Sequence, residues 1–102
     1  MSELVLRPDA VLDLRAAARW YEEQQPGLGD RFTTQLSATF DGIRAFPTRF
    51  RCIDGAVRRA LVRQFPYSVG FIVEPSRVVV LGVFHQHRDP TVWRERLPDD
   101  PG

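Results

Sequence analysis

Between residues 8 and 24, apolar side chains return every three or four positions. Val11, Leu14, Ala18 and Tyr21 line one face, with charged residues between them, which is the period of a helix buried on one side. Pro8 suits the first turn, where its missing N–H costs nothing, and Asp9 suits the positive end of the helix dipole. The stretch "QQPG" at 24–27 stops this helix, because proline cannot continue it and glycine permits the reversal. A longer stripe of Leu28, Phe32, Leu36, Phe40 and Ile43 predicts a second helix, ended by Pro47. So short a connection predicts an antiparallel helical hairpin. A short strand, "ELVLR" at 3–7, precedes it.

From Arg58 onward the period changes to two. In "YSVGFIVE" (67–74), Tyr67, Val69, Phe71 and Val73 share one face, while Ser68, Gly70, Ile72 and Glu74 share the other. "EPSR" (74–77) reads as a turn, and "VVVLGVFHQH" (78–87) is apolar enough for a central strand covered on both sides. Asp89 and Pro90 read as N-cap and first residue of a short terminal helix carrying Trp93 and Leu97. Residues 98–102 read as a flexible tail behind a single domain at 1–97. The predicted fold is α+β and two-layered: an N-terminal strand and an α-helical hairpin packed on an antiparallel β-meander, in the order β-α-α-β-β-β.

A hairpin on one side leaves the other sheet face without cover from this chain. In "RRALVRQF" (58–65), alternation puts Arg59, Arg63 and Phe65 on one side and Arg58, Ala60, Val62 and Gln64 on the other. The expectation is therefore an exposed apolar patch rimmed by arginine, of the kind that marks a partner site.

Composition sharpens this picture in two respects. With 43% hydrophobic and 26% charged residues, the 102-residue chain has the balance of an ordinary globular domain able to bury one core. It has no run of 18 apolar residues and no signal-peptide pattern, and its lone cysteine, Cys52, suits a reducing cytoplasm. All 14 basic residues are arginine, and residues 44–63 hold six of them against Asp54 alone. Arginine presents a planar fork of donors matched to carboxylate and phosphate. The whole chain carries only +1, too little for a stand-alone domain whose affinity must come from neutralising phosphates.

Four ordered segments, "WYEEQQPGLGDRF" (20–32), "IRAFPTRF" (43–50), "RRALVRQFPYSVGF" (58–71) and "HQHRDPTVWRERL" (85–97), resemble the RelE/ParE superfamily of type II toxins. They look closest to its ParE-like, plasmid-stabilisation branch. The resemblance implies a growth-inhibiting toxin held inactive in a hetero-oligomer by a small cognate antitoxin. An acidic, often helical antitoxin segment would lie along the apolar groove against the arginines. RelE-like members cut messenger RNA on the ribosome, whereas ParE-like members inhibit DNA gyrase by binding it.

Cleavage through the ribose 2′-hydroxyl needs an acid, a base and a cation for the developing phosphate charge. If this chain cleaved RNA, His85, His87, Arg63 and Arg88 would be its candidates, with Arg59 as a further phosphate ligand. Two departures weigh against that. Ser68 stands where catalytic members commonly carry arginine, and Trp93 stands near a late tyrosine of some of them. Inhibition without catalysis is thus favoured, and no catalytic residue is assigned. The residues expected to meet a target or antitoxin are Arg58, Arg59, Arg63, Tyr67, His85, His87, Arg88 and Trp93. Several have structural readings beside the functional one: an ion pair for Arg58, a core position for Tyr67 and a cover over the sheet end for Trp93. His85 and His87 lie two apart with no third ligand, so neither a metal nor another cofactor is expected.

Overall fold

In a computed structural model, which describes residues 3–87 and 90–97, strand β1 (Glu3–Leu6) leads through extended Arg7 into helix α1 (Pro8–Gln24). Helix α2 (Leu28–Ala45) returns antiparallel to it. The turn between them is stitched by Glu22, whose carboxylate accepts the backbone N–H groups of Gly27 and Gly29 at 3.1 Å. These are donors that the start of α2 would otherwise leave without partners. Gly29 has to be a glycine, because a Cβ there would stand 2.7 Å from the Ala18 carbonyl of α1.

A short 3-10 turn (Pro47–Arg49) leads into β2 (Cys52–Asp54), β3 (Val57–Leu61), β4 (Tyr67–Val73) and β5 (Arg77–His85). The sheet order is β1-β5-β4-β3-β2, with β1 parallel to β5 and the other neighbours antiparallel. The α+β arrangement follows the sequence expectation, with β2 as an additional edge strand. It is three residues long and shifted in register, too short for a period of two to be visible.

Helix α1 buries Tyr21 as expected and packs Leu14 and Ala18 at the margin of the core, but its most buried line runs through Ala10 and Ala17 instead of Val11 and Ala18. Ala10, Ala17 and Tyr21 are buried, while Val11 and Ala18 are half-buried. Alanine occurs on both candidate faces, and its small side chain is what lets a helix lie close to a sheet. The α2 stripe agrees with expectation: Phe32, Leu36 and Ile43 are buried with Val69, Phe71, Val78 and Val80 in the helix-side core.

A bulge between Gly70 and Phe71 on β4 sets two β5 residues, Leu81 and Gly82, where regular pairing would place one. Its effect is to flip the faces. Val78 and Val80 point to the helices before it, and Val83 points there after it. Val79, Leu81 and Phe84 face the other side.

That other side is covered, contrary to the sequence expectation. The terminal 3-10 segment (Pro90–Arg96) crosses it and packs Trp93, only 5% exposed, with Val57, Ile72, Val79, Leu81 and Phe84. Two aspartates pin the segment. Asp54 of β2 accepts from Arg94 Nε at 2.7 Å and from Trp93 Nε1 at 3.4 Å. Asp13 of α1 accepts from Arg96 Nη1 at 2.6 Å and Nη2 at 3.3 Å. A one-dimensional pattern could not show these clasps, because their partners lie 39 to 83 residues apart. Arg88, the expected cap Asp89 and the tail at 98–102 lie outside the described residues.

Candidate functional site

Adjacent residues of a strand face opposite ways, and this separates the arginines. Arg58 points to the helix side, where Nη1 donates to the Phe50 carbonyl at 2.6 Å and the Thr48 carbonyl at 3.3 Å. It closes the link between α2 and the sheet, a structural role that uses backbone carbonyls rather than a carboxylate. Arg59 lies exposed on the other face, paired in register with Gly70. Strand β3 stops at Leu61, before the alternation expected through Phe65 is complete. Gln64, with φ of 71°, turns the chain, so Val62 and Phe65 both enter the helix-side core and Arg63 stays exposed in the turn. The expected arginine-rimmed furrow is therefore not formed: its floor is covered by Trp93 and its guanidinium groups diverge.

A different set of predicted residues does converge, at the far end of β4 and β5 on the helix side. Tyr67 pairs in register with His85, their rings 5.3 Å apart and edge-on, and His87 lies 5.2 Å from His85. The His87 N–H donates to His85 Nδ1 at 3.2 Å, which leaves Nε2 as the protonated nitrogen of a neutral His85 ring. Tyr67 is braced from below by Phe32 at 5.2 Å and Tyr21 at 6.0 Å. Burial, with the neighbouring Tyr67 as the lesser cause, raises the Tyr21 pKa above the usual phenol value.

Two adjoining open hollows, of about 270 and 260 Å³, run along this end between α1 and β5. Trp20, Tyr67 and His85 line both; Asp13, Ala16, Ala17 and Val83 complete one, Tyr21 and Pro66 the other. Trp20 is 54% exposed and stands edge-on to Tyr21 at 5.1 Å. It was missed as a site residue, although its signal was present: a tryptophan off the buried stripe of an amphipathic helix. Asp13 had no such signal, because its role depends on β5 and Arg96.

This groove offers aromatic faces and small alanines, which suit the grip of apolar side chains. Among the described arginines, Arg59 lies on the opposite sheet face from His85 and Arg58 is occupied with backbone, so neither joins the histidines as a phosphate-binding cation, while Arg63 stays exposed in the turn before Pro66. Among the described residues no three His, Cys, Asp or Glu side chains group as metal ligands. No described helix is long and apolar enough to cross a membrane.

The family model described as the ParE toxin of the type II toxin-antitoxin system parDE matches residues 4–90. Among solved structures, the chain is similar to one described as the chromosomal ParDE toxin-antitoxin system from P. aeruginosa. The TM-score is 0.75 at 17% identity, over 83% of this chain and 96% of that one, a likeness of fold. No curated protein sequence matches it.

Proposed function

The chain belongs to the ParE family of type II toxin-antitoxin toxins, and from that premise we propose that it inhibits DNA gyrase through protein–protein contact, in the cytoplasm, and is neutralised in a hetero-oligomer with a cognate antitoxin. The observation that carries the choice of mechanism is the placement of the candidate catalytic groups. His85 ends β5 on the helix side, with the His87 ring 5.2 Å from it in the turn that follows, whereas Arg59 sits on the other face of β3. General acid–base cleavage needs its groups within hydrogen-bond reach of one phosphate. An inhibitor needs only a gripping surface, and the Trp20–Tyr67–His85 groove supplies one, with Arg59, Arg63, His87 and Arg88 as further contact candidates.

The test uses purified protein in two assays, gyrase supercoiling and cleavage of ribosome-bound messenger RNA. Dose-dependent loss of supercoiling without RNA cleavage is expected. Messenger cleavage that vanishes in the His85→Ala, His87→Ala double variant would establish a RelE-like endonuclease instead and overturn the proposal.

A further inference from the structure

Strand β5 outruns its parallel neighbour. The β1 register ends at Leu6 opposite Val80, yet β5 continues to His85. Beyond Val80 one of its edges has no strand beside it among those described. The direction of that edge follows from two hydrogen bonds. The Gln86 N–H goes to the Pro66 carbonyl, beside β4, whereas the Val83 N–H points the other way, to Asp13 Oδ2 at 3.0 Å. By the alternation of an extended chain, the Val83 C=O and the His85 N–H share the open side.

The first two groups on this edge are satisfied by side chains. Asp13 takes the Val83 N–H, and Arg96 Nη1 gives to the Leu81 C=O at 3.3 Å. The same two side chains are clasped to each other at 2.6 Å, both less than one-fifth exposed. One acceptor and one donor, held at strand spacing, reproduce what a neighbouring backbone would supply. Such devices shield an exposed edge from unwanted pairing. Here the shield is partial, because the hollow lined by Asp13, Ala16, Ala17, Trp20, Val83 and His85 opens alongside.

Charge indicates what fits. Asp13 is engaged by Arg96, and Glu22 by the amides of Gly27 and Gly29. Arg15 and Arg19 on α1, and Arg63 in the turn leading to Pro66, have no carboxylate partner among the described residues. The Arg96 side of the latch belongs to the terminal segment, whereas the family match ends at residue 90.

We propose that the Asp13–Arg96 pair is a removable stand-in for a sixth strand. An extended acidic segment of the antitoxin displaces it from Leu81 and Val83, pairs with β5 through His85, and sets one apolar side chain in the Trp20–Tyr67–His85 hollow. The proposal rests on the reading of the chain as an antitoxin-bound toxin. Its consequence is unusual for an ion pair in a binding region. Breaking the pair removes a competitor of the incoming strand, so binding tightens. Loosening it also weakens the hold of the terminal segment on the outer face, which couples the two faces of the sheet.

The test is binding of the full-length cognate antitoxin to the wild-type chain and to Arg96→Gln and Asp13→Asn. Affinity is expected to rise on the order of tenfold in Arg96→Gln, since charge-assisted hydrogen bonds need no longer be displaced. The Val83 and His85 amides should exchange more slowly in the complex, and Trp20→Ala should weaken binding at least tenfold. Unchanged or weaker binding by Arg96→Gln, or a complex in which the His85 amide is no better protected, overturns the latch while leaving the antitoxin reading intact. Absence of any complex overturns both. Should Arg96→Gln fail to fold, Asp13→Asn decides the matter, because it keeps an acceptor for Val83 while losing the nearer of the two carboxylates at Arg96, Asp9 lying at 4.0 Å.

Discussion

Phe84 lies edge-on against Trp93, ring centroids 5.5 Å apart, above a floor made by the facing pair Gly70 and Gly82. The guanidinium carbon of Arg96 lies 4.9 Å from the centre of the same Phe84 ring. The outer layer of the protein is therefore a stack in which two strands supply a flat base, the aromatics fill it and Arg96 closes it.

The two glycines are predicted to differ in tolerance. A Cβ at Gly82 would overlap both the Phe84 ring and the Arg96 guanidinium, which is held in its clasp. At Gly70 the same atom would meet Phe84 at 3.5 Å and Trp93 at 3.8 Å, ordinary contacts. Gly82→Ala should cost about 1–3 kcal/mol and Gly70→Ala less than about 1 kcal/mol in either direction. Urea unfolding of both variants measures the difference.

Arg58 and Arg59 make a second contrasting pair. Arg58→Ala leaves the Phe50 carbonyl without its 2.6 Å donor in a partly buried site and should lower stability by about 1–2 kcal/mol. Arg59→Ala removes an exposed side chain and should stay within about 0.5 kcal/mol of the parent. If Arg59 is a target contact, its loss appears in the gyrase assay with the melting temperature unchanged.

Acid should loosen the terminal segment. The hydrogen bond from Arg94, assisted by that from Trp93, holds the Asp54 carboxyl below the usual carboxylate range, against the opposing effect of desolvation. A depressed folded-state pKa contributes stability that is present above the unfolded value of about 4 and is lost as pH falls through the folded value. Trp93 fluorescence should shift to the red as pH drops below about 4, the unfolded carboxylate value, in a Trp20→Phe background that leaves a single tryptophan. In Asp54→Asn that acid-dependent step should be diminished, and an unaltered step would show that Asp54 does not anchor the segment.

Alkali probes the opposite sign at Tyr21. Burial raises its phenol pKa, so the folded state resists ionisation and stability declines as pH climbs beyond about 10, the unfolded value. Ultraviolet titration of the Tyr67→Phe variant should show the remaining tyrosine, Tyr21, ionising later than a free tyrosine. Ionisation at the free value would mean that the Tyr21–Phe32–Phe65 packing opens to solvent.

Much of the layer order was legible along the chain because it is written in local periods. The 3–4 spacing of Phe32, Leu36 and Ile43 and the alternation of Tyr67, Val69 and Phe71 each name a buried face without reference to any distant residue. The candidate site was legible in part. Tyr67 and His85 were singled out and do meet, since they face each other across β4 and β5. Arg58 and Arg59 were grouped with them by density in the sequence, but strand geometry sends neighbours to opposite faces.

Sequence alone determined the helical hairpin, the apolar meander and the local surplus of arginine, because periodicity and composition are properties of neighbours in the chain; the family showed separately, in the resemblance of four ordered segments and the family-model match. Tertiary structure decided where the groove lies and which sheet face is closed. A bulge at Leu81 reverses the faces of β5 midway, and Asp13 and Asp54 reach arginines 83 and 40 residues away. Hydrogen bonds and ion pairs form between whatever the fold brings within about 3 Å, and that proximity exists only once the chain has closed on itself.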